Sequence, residues 1–73
     1  MAKKRPPHVG QLIEARREAK GLTRRGLALA ASMNDAYLMR IEKGTVKQPS
    51  FATICAIADA LGCTADELRP DRQ

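Results

Sequence analysis

The chain has 73 residues and a formal net charge of +5, with 13 Lys and Arg against 8 Asp and Glu. A chain of this length favours one small domain with a limited core. No apolar run approaches the roughly 20 residues of a membrane span, and no apolar segment follows the basic N-terminus as in a secretory signal. We therefore expect a cytoplasmic protein, and the positive charge favours a polyanionic partner.

The positive charge is concentrated in the first two thirds of the chain. Residues 1–49 hold eleven Lys and Arg and four Asp and Glu, a net charge of +7, whereas residues 50–73 hold two and four, a net charge of −2. A nucleic acid would therefore meet the first part of the chain.

Residues 1–7 form a basic segment that contains Pro6 and Pro7, so we predict a flexible arm. The arm is either a solubilising tail or a contact along a DNA backbone or minor groove. We predict one domain over residues 8–70 and a short tail over residues 71–73. His8 has no second ligand candidate, so we predict no metal site.

The first helix is predicted from about Val9 to Lys20 by its apolar spacing. The second is predicted from about Arg24 to Ala31, with Thr23 as its N-cap. Gly26 is unusual inside a helix, where it costs about 0.5–1 kcal/mol relative to Ala. It indicates either a close backbone approach to another helix or a phosphate, or a tolerated exposed position.

A tight turn and a third helix follow. Residues 31–33 form the predicted turn, Asn34 is the next N-cap, and the helix runs from about Asp35 to Lys43, where Gly44 ends it. Two short helices joined in this way leave the start of the second one projecting. This is the helix-turn-helix arrangement, in which the projecting helix fits a DNA major groove.

The remaining elements are two further helices. Ser50 is the predicted N-cap of a fourth helix that has Phe51 on its apolar face and Gly62 as its C-terminal cap. Thr64 and Glu67 form a capping box that begins a last helix of one or two turns.

The sequence therefore predicts an all-α fold, a five-helix bundle with a helix-turn-helix. The predicted core consists of Val9, Leu12, Ile13, Leu22, Leu27, Ala28, Ala31, Met33, Leu38, Ile41, Ile54, Ile57, Ala58, Leu61 and Leu68.

Cys55 and Cys63 lie eight positions apart across the fourth helix, too far apart for a disulfide at about 1.5 Å of rise per residue. We predict free thiols in a reducing compartment, with Cys55 on the buried stripe. No paired carboxylate with a nucleophile and no phosphate-binding Gly loop occurs in the sequence. We therefore expect neither an enzyme nor a cofactor.

Three segments carry a family resemblance: RREAKGLTRRGLA, YLMRIEKG after Asn34, and QPSFATICAIADALGCTADEL. Together they make residues 9–68 similar to the phage repressor and Cro family, also called XRE-type regulators. The resemblance implies a DNA-binding domain like that of lambda repressor. The resemblance implies a homodimer that places the third helix of each subunit in successive major grooves. It also implies a sequence-specific DNA-binding transcriptional regulator, most simply a repressor.

The resemblance assigns roles to individual residues. Base edges are met by Asp35, Ala36, Met39 and Arg40. The DNA backbone is met by Arg24, Arg25, Tyr37, Lys43, Thr45, Lys47 and Gln48. A structural ion pair joins Arg17 and Glu42. The dimer surface includes Cys63, Thr64 and Leu68.

The sequence departs from the family pattern at three places. Ser32 replaces the usual Gly of the turn, and Arg24 replaces the usual Gln at the start of the second helix. Asp35 and Ala36 stand where many members have Gln, Ser or Arg.

Each reading residue has a second interpretation. Arg40 either donates two hydrogen bonds to guanine or is bound to phosphate or solvent. Asp35 accepts from cytosine N4 or stabilises the helix dipole, and Ala36 touches a thymine methyl or only fills space. The Tyr37 hydroxyl reaches a phosphate, or its ring packs on the core edge.

Two other functions remain open. An interaction module, such as an antitoxin or a polymerase-binding regulator, would use the same face for a protein partner. A binder of RNA or of nucleic acid without sequence preference is disfavoured, since a single Tyr and a single Phe provide few stacking surfaces.

Overall fold

The computed structural model describes residues 8–46 and 48–69. These residues form α1 (Val9–Ala19), α2 (Arg24–Ala30), α3 (Asp35–Lys43), α4 (Phe51–Leu61) and a 3-10 helix (Ala65–Leu68). The described residues contain no strand, so the predicted all-α class is confirmed.

The last element is a 3-10 turn of four residues, so the prediction of five α-helices is wrong by one. Thr64 and Glu67 do form the predicted capping box around it. Arg69 then takes an extended backbone, with φ −85° and ψ 120°. The residue before a proline is disfavoured in the helical region, and Pro70 therefore explains why the turn does not lengthen into an α-helix.

Side-chain caps begin the helices. The hydroxyls of Thr23 and Ser50 accept from the backbone N–H groups three residues on, at 2.9 and 3.2 Å, as predicted. The cap of α1 was not predicted: His8 Nδ1 accepts from the N–H of Gln11 at 3.2 Å, and Gln11 Oε1 accepts from the N–H of His8 at 3.0 Å. Histidine is an unusual N-cap, and Gln11 three positions later was the available signal.

The core lies where α1, α2, α3 and α4 meet. Eleven of the predicted core residues are buried, and the other four, Leu12, Leu22, Met33 and Ile54, are partly buried against them. Phe51 is not among the predicted core residues, and it is 76% exposed although it lies on the apolar face predicted for this helix. It is the first residue of α4, whose buried residues begin at Ile57.

Cys55 and Cys63 are free thiols, as predicted, but both are only half-buried. Gly26 does not mark a close approach to another helix, since a Cβ there would meet only the Thr23 hydroxyl, at 3.1 Å.

Candidate nucleic-acid interface

The turn between α2 and α3 is closed by backbone hydrogen bonds. The N–H of Met33 donates to the carbonyl of Ala28 at 2.9 Å, and the N–H of Ser32 donates to that of Leu29 at 3.1 Å. Ser32 has a φ of 56°, the left-handed conformation that glycine adopts without strain. The turn therefore has the left-handed geometry expected where the phage repressor and Cro family, which the sequence resembles, usually has Gly, although a serine occupies the position here.

The start of α3 is fixed by Asn34. Its Oδ1 accepts from the N–H of Ala36 at 2.8 Å and from that of Tyr37 at 3.2 Å, and Asn34 itself is exposed. Two of the free backbone N–H groups in the first turn of α3 are thus satisfied from within the chain, which stabilises the start of the helix.

One side of α3 anchors the helix and the other side faces solvent. Leu38 and Ile41 are fully buried. The predicted base-reading residues lie on the opposite side: Asp35, Ala36 and Arg40 are exposed, and Met39 is half-buried. The structure thus brings these four residues together on the projecting part of α3.

The end of α3 leads into a surface loop. Gly44 is left-handed, with φ 88°, and the N–H groups of Thr45 and Val46 both donate to the carbonyl of Arg40, at 2.9 and 3.2 Å. Among the predicted backbone contacts here, Lys43, Thr45 and Gln48 are exposed. Lys47 lies outside the described residues.

A buried ion cluster joins α1, α2 and α3. Glu42 has a side chain that is only 1% exposed, and Arg17 donates to it through Nε at 2.9 Å and through Nη2 at 3.3 Å. The pair that the resemblance implies is therefore present. Arg17 Nη1 also donates to the carbonyl of Leu22 at 2.8 Å, which ties the connection between α1 and α2 into the same cluster.

Glu42 has a second arginine partner that sequence reasoning missed. Arg24 Nε donates to Glu42 Oε1 at 3.0 Å, so the implied phosphate contact of α2 is also bound to a carboxylate of α3. The Arg24 side chain remains 35% exposed. The available signal was the replacement of the usual Gln by a longer, charged side chain.

The starts of α2 and α3 border one cleft of about 210 Å³, which places Arg25 on the same surface as Asn34 and Asp35. Arg25 is exposed. Tyr37, another implied backbone contact, is half-buried and its ring packs against the core. Arg25 of α2 and Arg40 and Lys43 of α3 are thus exposed, and Asp35 is the exposed carboxylate among them. Because these positive charges outnumber the negative one, the surface suits the phosphate backbone of a nucleic acid.

The predicted dimer surface needs correction at Leu68. Its side chain is fully buried within a single chain, so it belongs to the core and is unavailable to a partner. Thr64 is exposed, and its hydroxyl is engaged with Glu67 at 3.1 Å. Cys63 is half-buried, and burial raises the pKa of its thiol.

A wide apolar groove opens near these residues. It encloses about 700 Å³ and is lined by α1, the loop before α4, the first turn of α4 and the 3-10 helix. The lining includes the exposed Phe51, Ile54 and the oppositely charged Asp66 and Arg69.

Within the described ranges, no three His, Cys, Asp or Glu side chains are grouped as a metal site would need. None of the helices in that part of the chain is long and apolar enough to cross a membrane.

Comparison with known proteins identifies the family. A family described as a helix-turn-helix domain matches residues 8–70. The chain belongs to the helix-turn-helix family, in its phage repressor and Cro (XRE) type. It is accordingly a DNA-binding regulator.

Two similar proteins support this assignment. An uncharacterised HTH-type transcriptional regulator of Bacillus subtilis (strain 168), YazB, is 43% identical over 61 residues, which are 84% of this chain and 87% of that protein. The crystal structure of the restriction-modification controller protein C.AhdI from Aeromonas hydrophila superposes with a TM-score of 0.78 at 32% identity, over 82% of this chain and 89% of that one. In this helix-turn-helix protein, α2 and α3 are therefore the two helices of the motif.

Proposed function

We propose that this helix-turn-helix protein is a homodimeric, sequence-specific repressor that inserts α3 of each subunit into the major groove of double-stranded DNA. The observation that supports this most directly is the division of α3 into two sides. Leu38 and Ile41 are fully buried, while Arg40, between them along the helix, is exposed. A duplex can therefore approach α3 without displacing the core.

In this proposal, the exposed start of α3 reads bases. Arg40 donates two hydrogen bonds to a guanine, which discriminates against another base by about 1–3 kcal/mol. Asp35, Ala36 and Met39 contact neighbouring base edges. Few polar donors are available among them, so the sequence preference rests chiefly on Arg40.

Contacts to the phosphates hold the protein in register. They are assigned to residues of α2, of α3 and of the loop after it: Arg24, Arg25, Tyr37, Lys43, Thr45, Lys47 and Gln48. Such contacts position α3 without carrying sequence information, and they displace counterions from the duplex.

Two copies are needed to read a palindromic site with half-sites about 34 Å apart. We place the dimer surface at the apolar groove, with Phe51 at its centre, and extend it to Cys63 and Thr64, which directly precede the 3-10 helix that lines the groove. A 76% exposed aromatic ring beside an apolar groove, with Asp66 and Arg69 at the margin, has the composition of an interface core with a polar rim. The repressor acts in the cytoplasm by occupying a promoter, without a cofactor and without catalytic chemistry.

The test is selection of bound sequences from a random duplex pool by the wild-type chain and by Arg40→Ala. We expect the wild-type chain to enrich one palindromic sequence and Arg40→Ala to enrich a less defined set. The matched control is Lys43→Ala, one turn further along the exposed side, which should weaken binding to all duplexes alike while leaving the enriched sequence unchanged. Enrichment of the same sequence by wild type and Arg40→Ala would contradict the assignment of Arg40.

Salt dependence tests the electrostatic part of the proposal. Each phosphate that a cation neutralises contributes a slope of about −0.9 to the dependence of log K on log salt. We expect a slope equivalent to several phosphates, and binding that does not weaken with salt would overturn the proposal.

An interaction module, for example an antitoxin or a polymerase-binding regulator, is the second candidate. The 68% exposed side chain of Leu29, which borders the cleft between α2 and α3, favours it, since an exposed large apolar side chain suits a protein partner. Recovery of one stoichiometric protein partner, together with no binding of any duplex by the purified chain, would replace the repressor by this function.

A further inference from the structure

The position of Arg24 at the surface is set by Glu42, a residue that DNA cannot reach. Arg24 Nε donates to Glu42 Oε1 at 3.0 Å, and the Glu42 side chain is 1% exposed against 35% for Arg24. The buried carboxylate therefore holds the inner edge of the Arg24 guanidinium, while part of the same side chain lies at the surface.

The two terminal nitrogens of Arg24 are unengaged within residues 8–46 and 48–69. The hydrogen bonds and ion pairs of Arg24 to those residues consist of the Nε contact with Glu42. A guanidinium has donors on two edges, so one edge can bind a carboxylate while the other binds a second anion.

Glu42 does not need Arg24 as its counter-ion, because Arg17 binds both of its carboxylate oxygens through Nε and Nη2. Arg17 Nη2 also lies 3.9 Å from a carboxylate oxygen of Glu14 and 3.9 Å from one of Glu18, so Arg17 is surrounded by negative charge. Arg24 pairs with Glu42 alone within the described residues and is the more exposed of the two arginines, so the outer edge of its guanidinium is the part of the cluster that is open to a second anion.

We propose that Glu42 is a positioning residue for DNA binding: it fixes Arg24 so that the terminal nitrogens of its guanidinium bind a phosphate of the duplex next to α3. This inference rests on the proposed function. It adds that Glu42 links Arg24, the phosphate contact of α2, to α3. The phosphate contact and the helix that reads bases therefore keep a fixed relative position.

Conservative substitution gives the sharpest test. In Arg24→Lys the charge is kept, but the ammonium is a compact point charge without the planar donor edges of a guanidinium, so it cannot hold Glu42 and a phosphate in the same fixed geometry. We expect Arg24→Lys to bind the duplex selected by the wild-type chain about tenfold more weakly, the loss expected for one charge-assisted hydrogen bond. The matched control is Arg16→Lys in α1, where the charge is also kept and the ion pair with Glu67 lies outside the proposed DNA contacts. It should change the affinity by less than about twofold.

A double-mutant cycle then tests the role of Glu42. Arg24→Met should weaken binding about tenfold and reduce the salt slope by about 0.9, the contribution of one phosphate. Glu42→Gln should weaken binding several-fold in the wild-type background and should have no further effect beside Arg24→Met. Circular dichroism and thermal unfolding of each variant define a temperature at which all of them are folded.

The outcomes separate the possible failures. If the wild-type chain binds no duplex, the proposed function fails and this inference fails with it. If the wild-type chain binds but Arg24→Lys equals it, Glu42 does not position Arg24. An unchanged salt slope in Arg24→Met would show that Arg24 stabilises the fold without contacting a phosphate. If Glu42→Gln does not fold, the comparison of Arg24→Lys with Arg16→Lys decides alone.

Discussion

Gly10 of α1 lies directly against the backbone of Glu42 in α3. A Cβ at Gly10 would stand 2.7 Å from Glu42 Cα and 2.8 Å from its carbonyl oxygen, and it would overlap the carbonyl of Ile41. The backbone has no flexible end that could move aside. The absence of a side chain at Gly10 therefore allows α1 to approach α3 this closely.

Gly10→Ala should destabilise the protein, because α1 and α3 must separate to admit the methyl group. Overpacking of this kind costs about 1–3 kcal/mol, and a backbone contact belongs at the upper end of that range. The control is Gly26→Ala in α2, where the new Cβ meets only the Thr23 hydroxyl. The gain from removing a helical glycine, about 0.5–1 kcal/mol, is opposed there by the displacement of the Thr23 hydroxyl that caps α2, so the net change in unfolding free energy should be far smaller than for Gly10→Ala. Urea unfolding measures both changes, and equal effects of the two substitutions would contradict the close approach at Gly10.

Ser32→Gly should stabilise the turn of the helix-turn-helix. Ser32 is exposed and has a φ of 56°, a conformation that costs a residue with a Cβ about 1–2 kcal/mol. Glycine removes that strain but loses more backbone entropy on folding, so we expect a net gain of about 0.5–1 kcal/mol. For a domain of this size, a gain near 1 kcal/mol raises the Tm by about 4–8 °C. Ser32→Ala, which keeps the Cβ, is the control and should give no gain in a thermal unfolding experiment.

Much of the fold could be predicted because its boundaries are set by local signals. Asn34 and Ser50 cap α3 and α4 at the predicted residues, and Gly44 and Gly62 end them in the left-handed conformation. The exposure of Phe51 could not be predicted in this way. An apolar residue in the first turn of a helix fits the periodic pattern, and only the packing of the other helices decides whether anything covers it.

For the candidate site, the sequence predicts which side of α3 faces outward but not how α2 is attached to it. The spacing of Leu38 and Ile41 fixes the buried side, so the exposure of Arg40 follows. The contact between Arg24 and Glu42 joins residues 18 positions apart on different helices. It depends on the three-dimensional arrangement of α2 and α3, for which no local pattern exists.

Arg17→Met should be far more destabilising than the same substitution at its neighbour Arg16. Arg17 is paired with the buried Glu42, and loss of one partner of a buried pair costs about 3–5 kcal/mol. Arg16 binds Glu67 at 2.9 Å, but both side chains are nearly half exposed, and such a pair contributes about 0–1 kcal/mol. Both substitutions leave a long unbranched side chain, so the difference in unfolding free energy reports the buried contacts of Arg17, which are the pair with Glu42 and the hydrogen bond to the Leu22 carbonyl. A loss at Arg17 no larger than that at Arg16 would show that Glu42 is not buried as a charge.

Protonation of Glu67 at acid pH should lower the free energy of unfolding. The backbone N–H and the hydroxyl of Thr64 bind its carboxylate and hold the pKa of Glu67 below its ordinary value, with a smaller contribution from Arg16. Because the pKa is lower in the folded state, the stabilisation is present above the unfolded pKa. It is lost as the pH falls through the folded pKa.

Glu67→Gln is the variant that isolates this charge, since Gln also completes a capping box. We expect the free energy of unfolding of the wild type to fall more steeply than that of Glu67→Gln between about pH 6 and pH 3, around the ordinary pKa of a carboxyl group. Urea unfolding at a series of pH values gives the two slopes. Parallel slopes would show that the carboxylate is bound equally well in the unfolded chain.

Phe51→Ser should weaken self-association without unfolding the protein. The Phe51 ring is 76% exposed in a single chain, so its removal takes little from the core, whereas the proposed dimer buries it beside the apolar groove. An aromatic residue at the centre of an interface contributes about 2 kcal/mol or more, so the dimer dissociation constant should rise at least about thirtyfold. The control is Leu29→Ser, which removes a side chain that is 68% exposed on α2, away from the groove. Sedimentation velocity over a range of concentrations compares the two variants with the wild type, and a dimer weakened equally by both, or by neither, would place the dimer surface elsewhere.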